Sequence, residues 1–450
     1  MELPADVMPP SRNAMRDVLI VTLLAVVVTL AHFVLEGRAG LSLADEGYLW
    51  YGSQRTMIGD VPIRDFMAYD PGRYYWCSAL MRLVGDNGIM ALRVAVASFE
   101  ALGIACGLYV LRRAAANWAQ LVVGAVVLAL WMFPRHKLFD ISICLMLVAA
   151  LCALLSQPSR TRFLILGAAV GIAAVFGRNH GVYGAAGSVL GFAYLMTSSG
   201  TRRSLFSGLP AWSVGIVVGY LPVLFMFALV PGFARAFWQD VLFLVSIKTT
   251  NLPLPVPWPW AVDWIRHGLA WVTRDLLIGL AFVALVVTGV GAILVIGIGR
   301  MRKRAYAPAL VAPVCFILPY AHYAFSRADI GHLALGIFPL LLTFLVVRVS
   351  GKRLAGWSSL AGLLAVSALI MVPVHPGFQC TPESCSEVMV GDDKLLLDAG
   401  TASSVTLLQR LEHEFLEGGE TFVATPYWPG AYAVLGRRSP VWEIYALSPY

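Results

Sequence analysis

Long uninterrupted apolar stretches alternate with short charged loops along most of the chain. A helix that crosses a bilayer needs about 20 consecutive apolar residues. About eleven stretches approach that length: 17–35, 89–111, 118–134, 141–156, 163–178, 181–198, 210–230, 276–298, 306–324, 332–348 and 355–373. The pattern predicts an all-α polytopic membrane protein. The first stretch does not read as a cleaved signal peptide, being long, weakly basic at its flank and followed by no small-residue cleavage site. Gly177-Arg178-Asn179-His180-Gly181 interrupts 163–198, which reads either as two spans or as one broken pair.

The charges orient these stretches. With the N-terminus in the cytoplasm, the inner loops hold Arg112 and Arg113; Arg160 and Arg162; Arg202 and Arg203; Arg300, Arg302, Lys303 and Arg304; and Arg348, Lys352 and Arg353. These thirteen basic residues stand without an acid, and the opposite loops carry nearly all the Asp and Glu. Lys and Arg collect on the cytoplasmic side of membrane proteins, so the expected location is a cell inner membrane with the C-terminus outside. The net charge of +7 then needs no nucleic-acid partner. A chain 59% hydrophobic and 13% charged, with mean hydropathy +0.75, is no ordinary soluble enzyme and no disordered chain. Its seven cysteines are too few for a disulfide scaffold.

Three longer segments fall on the outer side: 36–88, 231–275 and 374–450. The second contains Asn251-Leu-Pro-Leu-Pro-Val-Pro-Trp-Pro-Trp260, which is no helix interior. Its tryptophans suit a lipid interface or the wall of an apolar groove. The third changes composition abruptly. Thr421–Thr425 and Val441–Tyr445 read as strands and Pro429–Leu435 as a short helix stopped by Gly436, so a small α/β cap is expected. Cys380 and Cys385 there are placed for a disulfide in an oxidising compartment. The expected division is a transmembrane domain over 1–373 and a cap over 374–450.

The first outer loop carries the most chemistry. It reads Leu41-Ser-Leu-Ala-Asp-Glu-Gly-Tyr48, then Gly59-Asp-Val-Pro-Ile-Arg-Asp-Phe66, then Tyr69-Asp-Pro-Gly-Arg73. Two short surface helices fit it, the second starting at Pro71 with Asp70 as its cap. Ser42 to Asp45 also matches a capping box, which by itself would make Asp45 structural. Asp65 beside Arg64 is equally consistent with a plain surface pair.

An Asp-Glu pair just after the first span, followed by Gly-x-x-Pro-x-x-Asp-Phe-x-x-Tyr-x-Pro, resembles the GT-C superfamily of membrane glycosyltransferases. The likeness is to its bacterial protein-mannosyltransferase and aminoarabinose-transferase branch. It rests on Asp45, Glu46, Gly59, Pro62, Asp65, Phe66, Tyr69 and Pro71. It implies transfer of a sugar from a polyprenyl-phosphate donor to a glycan, lipid or protein acceptor on the outer face. It also implies that the catalytic base is the first acid of the pair, Asp45. Glu46, about 100° away on a helix, orients the acceptor or holds the fold.

Such a reaction needs a carboxylate for the acceptor proton and cations for the leaving phosphate. Outer-face cations are Arg64, Arg73, Arg135, Lys137, Arg178, Lys248 and Arg327. Three polar groupings stand out: Ser326-Arg-Ala-Asp-Ile-Gly-His332, Pro134-Arg-His136-Lys137-Leu-Phe-Asp140, and Arg178 with His180 at the break. Each has a structural reading as well, with Asp329 and Asp140 capping the helices that follow. Arg93 and Glu100 share one face of the second span and read as a buried network. No zinc signature of Cys-x-x-Cys or His-Glu-x-x-His form occurs, and a divalent ion on Asp45 or Glu46 with His332 is left open. The competing readings are a lipid-linked sugar flippase or transporter, and an oligosaccharide polymerase or ligase in which Asp45 has no catalytic part.

Overall fold

The computed structural model describes residues 14–247, 254–265, 268–349 and 353–445. Lys248, Lys352 and the start of the Pro/Trp run at 251–253 lie outside them. In chain order the helices are α1 (Ala14–Glu36), α2 (Asp45–Met57), α3 (Gly72–Val84), α4 (Ile89–Arg113), α5 (Trp118–Leu130), α6 (Leu138–Ser156), α7 (Arg160–Phe176), α8 (Arg178–Met196) and α9 (Ser199–Leu229). They continue as α10 (Phe233–Ile247), α11 (Leu269–Met301), α12 (Pro308–Ser326), α13 (Ile330–Gly336), α14 (Phe338–Val349), α15 (Arg353–Met371) and α16 (Pro376–Gln379). The tail adds β1 (Cys385–Val390), β2 (Asp393–Asp398), α17 (Ala399–Phe415) and α18 (Gly430–Val434).

All eleven apolar stretches are helical, but they are not equal. Among the described residues seven helices are long and apolar enough to span, or eight when α13 and α14, bent by 57°, count as one. The expected count of about eleven is too high by that measure. At 1.5 Å per residue, the 13 residues of α5 reach about 20 Å, short of a hydrocarbon layer of about 30 Å. The 17-residue α7 is also short, and α8 opens on Arg178, Asn179 and His180 and carries glycines at 181, 184, 187 and 191.

The chain forms two compact units. The first comprises 1–29, 99–221 and 252–372. Its centre is α6, in which 83% of the apolar window is buried, against 17% for α11, whose Val287, Val290, Leu294 and Val295 lie exposed as a lipid-facing helix would leave them. The pattern at 177–181 resolves as a turn at Gly177 that folds α8 back along α7, where a Cβ on Gly181 would lie 2.6 Å from Ala174. On its other side α7 meets α9 through glycines four apart. A Cβ on Gly167 would fall 2.0 Å from the Trp212 carbonyl, and one on Gly219 2.2 Å from that of Ala168. Small residues at this spacing let two backbones approach in a bilayer, where packing rather than the hydrophobic effect holds helices together. Phe99, Phe139 and Phe176 form an aromatic core, and Trp131 donates to the Ser367 hydroxyl at 3.0 Å. Pro257 and Pro259 lie against Gly279 of α11, with Trp258 stacked on Trp260. Two ends of the basic loops meet, since Arg300 donates to the Thr197 hydroxyl at 2.8 Å.

The second unit comprises 30–98, 222–251 and 373–450. The tail, which enters this unit at 373, packs with the first loop. Gly47 of α2 touches Gly430 of α18 so closely that a Cβ would lie 2.3 Å from its Cα. The Ser439 amide donates to the Tyr51 hydroxyl, and Trp442 donates to the Ile63 carbonyl while accepting from the Met67 amide. Strands β1 and β2 pair antiparallel, from Cys385 opposite Asp398 to Val390 opposite Asp393, and bury Val390, Leu395 and Leu397 against Val405 of α17. Cys380 and Cys385 are disulfide-bonded. The short helix before Gly436 is present as α18, but the strands expected at 421–425 and 441–445 are not strands. Their backbones are satisfied elsewhere. The Ala424 amide donates to the Tyr432 hydroxyl, and Trp442 bonds the first loop. The hairpin signal missed in the sequence is the two-residue turn Gly391-Asp392, with Gly391 at φ +61°.

Candidate active site

Asp45 is the first residue of α2. Its amide donates to the Ser42 hydroxyl at 3.0 Å, so half of the capping box forms. The Asp45 carboxylate itself is half-buried and makes no hydrogen bond or ion pair among the described residues. Glu46, one residue on, is buried and fully engaged. Arg93 grips it with a fork, Nε to Oε1 at 2.8 Å and Nη2 to Oε2 at 2.7 Å, and also donates to the carbonyls of Gly37 and Gly40. The two adjacent acids therefore differ sharply, one open and one locked into the loop's support.

The rest of the loop motif builds the floor under α2. Arg64 and Asp65 pair through two bonds of 2.8 Å, and Asp65 also accepts from the Val61 amide. The Arg64 hydrogen bonds hold the Asp65 carboxyl below its ordinary value, against the effect of partial burial. Ile63 is held at φ +75° with its side chain buried, a region that costs a β-branched residue energy and that Trp442 secures. The buried Arg73 lies 4.7 Å over the Tyr69 ring, which in turn meets Tyr48 edge-on. Helix α3 starts at Gly72 with Pro71 in the cap position and no side-chain cap, so Asp70 is not the cap expected of it. A cleft of about 500 Å³ opens beside this floor, lined by Tyr51, Asp65, Thr421, Arg437, Arg438 and Trp442.

In the first unit the three polar groupings of the sequence come together. His180 Nε2 lies 2.6 Å from Asp140 Oδ1, and its Nδ1 3.0 Å from the Tyr320 hydroxyl, all three buried. Asp140 thus serves His180 and does not cap α6. Arg178 opens α8 two residues before His180, half-buried. Tyr183 bonds His322 at 2.8 Å. The turn 134–137 meets the turn 327–332 at Pro134 and Gly331, with Lys137 Nζ 5.9 Å above the Tyr323 ring and His332 edge-on to that ring; His136 is buried beside Lys137. Asp329 caps α13 through the His332 amide at 2.8 Å and also holds Arg327 at 2.6 Å and His332 Nδ1 at 3.0 Å. Burial pushes its carboxyl up, but the His332 ring and amide and the Arg327 charge outweigh that and hold it below its usual value. Sequence reasoning missed Tyr183, Tyr320, His322 and Tyr323. The signal was Tyr320-Ala-His-Tyr323, a polar run inside an apolar helix.

Chemically, the second unit offers an open carboxylate at a helix start, and the first a buried acid–imidazole–phenol chain, with Lys137 and Arg327 on the turns that precede α6 and α13 and His332 in the first turn of α13. Glu46 is taken by Arg93, and His332 Nδ1 by Asp329. Among the described residues, the His, Cys, Asp and Glu groups close enough to share an ion are His32, Glu36 and His375.

With several helices long and apolar enough to cross a bilayer, the chain is a multi-pass membrane protein, and its fold is similar to one already solved for a membrane protein. The chain resembles ArnT from Cupriavidus metallidurans in the apo state, with a TM-score of 0.53 and 17% identity over 94% of this chain and 85% of that one. The apo oligosaccharyltransferase of Archaeoglobus fulgidus superposes with a TM-score of 0.45 and 12% identity, over 95% of this chain and 64% of the other. No family model matches the sequence, and no curated protein does.

Proposed function

We propose that the protein is an integral membrane glycosyltransferase. It moves a sugar from a polyprenyl-phosphate donor to an acceptor on the extracytoplasmic face of the inner membrane, with the N-terminus inside. The observation that carries this reading is the open carboxylate of Asp45 at the start of α2, on a fold shared with ArnT. Asp45 receives the acceptor proton as its oxygen or nitrogen attacks the anomeric carbon. Glu46, held by Arg93, is a positioning residue that sets the start of α2. The negative charge that grows on the leaving phosphate needs cations, and by their chemistry Arg64, Arg73, Lys137, Arg178 and Arg327 are the candidates for it, with His180 and His332 as polar partners. Arg64, Asp65, Tyr69 and Arg73 shape the loop below Asp45.

Membranes carrying the wild-type chain should transfer radiolabelled sugar from polyprenyl-phosphate donors to endogenous acceptor. Asp45→Asn should lower the rate by about 10²–10⁴-fold, the usual worth of a general base. Equal transfer by the two proteins would remove Asp45 from catalysis. Movement of intact lipid-linked sugar across vesicles, unaffected by Asp45→Asn, would favour a flippase instead.

A further inference from the structure

A cluster outside the site just described joins the end of α1 to the first residues of the tail, within the second unit. His32 and Glu36 are four apart on α1 and so share a face. His375 comes from the residue preceding α16. His375 Nδ1 lies 3.1 Å from Glu36 Oε1, and the His32 and His375 rings meet edge to face at 5.5 Å. One donor atom from each residue falls within 4.8 Å of the others. Glu36 and His375 are buried and His32 is half-buried. The backbone around them is fixed. The Gly377 amide donates to Glu36 Oε1 at 3.2 Å, a Cβ on Gly377 would lie 2.4 Å from the Leu35 carbonyl, and Arg93 holds the carbonyls of Gly37 and Gly40.

We propose that His32, Glu36 and His375 bind a divalent cation of the zinc class. Two imidazole nitrogens and one carboxylate oxygen are a donor set that zinc takes, leaving a fourth position for water. Bonds of about 2.0–2.2 Å in a tetrahedron set donor separations near 3.4 Å, which small rotations about the side-chain bonds of His32 and Glu36 reach from the spacing present. A hydrogen-bonded His375–Glu36 pair alone does not account for a second imidazole turned toward the same point from a neighbouring helical turn. The ion clamps the root of the tail to the root of the first loop, a structural task independent of the transfer reaction.

The test uses the full chain in detergent, free of any histidine tag, stripped with chelator, given zinc chloride and desalted. About one zinc per chain should remain, X-ray absorption should show two imidazoles and one carboxylate, and zinc should raise the unfolding temperature. Glu36→Gln with His375→Ala should lose the ion and the shift. If that variant does not fold, histidine modification of the wild type decides, since zinc should protect His32 and His375 alone among the eight histidines. A wild type that retains no zinc, or equal retention by a folded variant, or protection of other histidines, overturns the site.

Discussion

Adjacent residues can be assigned opposite work by what reaches them, and Asp45 and Glu46 show it. Both are acids in the first turn of α2, and only the second meets a guanidinium. A buried ion pair broken on one side leaves an uncompensated charge, which costs about 3–5 kcal/mol. Glu46→Gln and Arg93→Met should each lower stability by about that much in thermal unfolding of the detergent-solubilised protein. The double variant Glu46→Leu with Arg93→Met should recover a large part of it, and Asp45→Asn should change stability by about 0.5 kcal/mol or less. The acid pair was legible in the sequence, but its partner was not, because Arg93 lies in another helix and reads equally well as a partner of Glu100. Asp65 and Asp329 set a pH dependence. Both carboxyls are held below their ordinary value in the folded protein. The stability they add is therefore present above an ordinary carboxylate pKa of about 3.9 and is lost as pH falls through their lowered values. Between pH 6 and pH 3 the unfolding temperature of wild type should fall further than that of Asp65→Asn or Asp329→Asn.

At the scale of elements, hydrophobic run length found every membrane helix but could not grade them. Runs of similar apolarity became α5 with 13 residues and α11 with 33, because turns and neighbours, not apolarity, end a buried helix. The α7–α9 contact depends on absent side chains. Any Cβ at Gly171 meets the Ile216 carbonyl at 2.2 Å, whereas one at Gly297 of α11 meets nothing within 4 Å. Gly171→Val should therefore cost about 1–3 kcal/mol by overpacking, and Gly297→Val far less, read by thermal aggregation of the solubilised variants. In the tail, apolar alternation pointed at strands where the chain instead bonds to tyrosine hydroxyls and the first loop. The hairpin of β1 and β2 was hidden among charged residues.

For the whole molecule, the second unit joins segments far apart in sequence, and its tail supplies part of the structure around α2. Removing 374–450 should leave the Gly47 face of α2 and the rings of Tyr51 and Tyr48 uncovered. In membrane vesicles, proteolysis should then cut within 45–84 in the shortened chain and spare that stretch in the full chain; equal resistance would mean that the first loop holds itself.

The sequence by itself determined that the chain lives in a membrane and where most of its apolar helices lie, though not where α9 and α11 begin or that 233–247 and 399–415 are helical. Those follow from transfer of side chains between water and lipid and from short-range turn chemistry, both readable over a score of residues. Only the tertiary structure decided which acid is open and which is held, that three separate polar groupings share one end of the first unit, and that two histidines and a glutamate converge from α1 and the tail. Those depend on approaches between segments tens to hundreds of residues apart, selected by packing and by the need to satisfy every buried charge and backbone group.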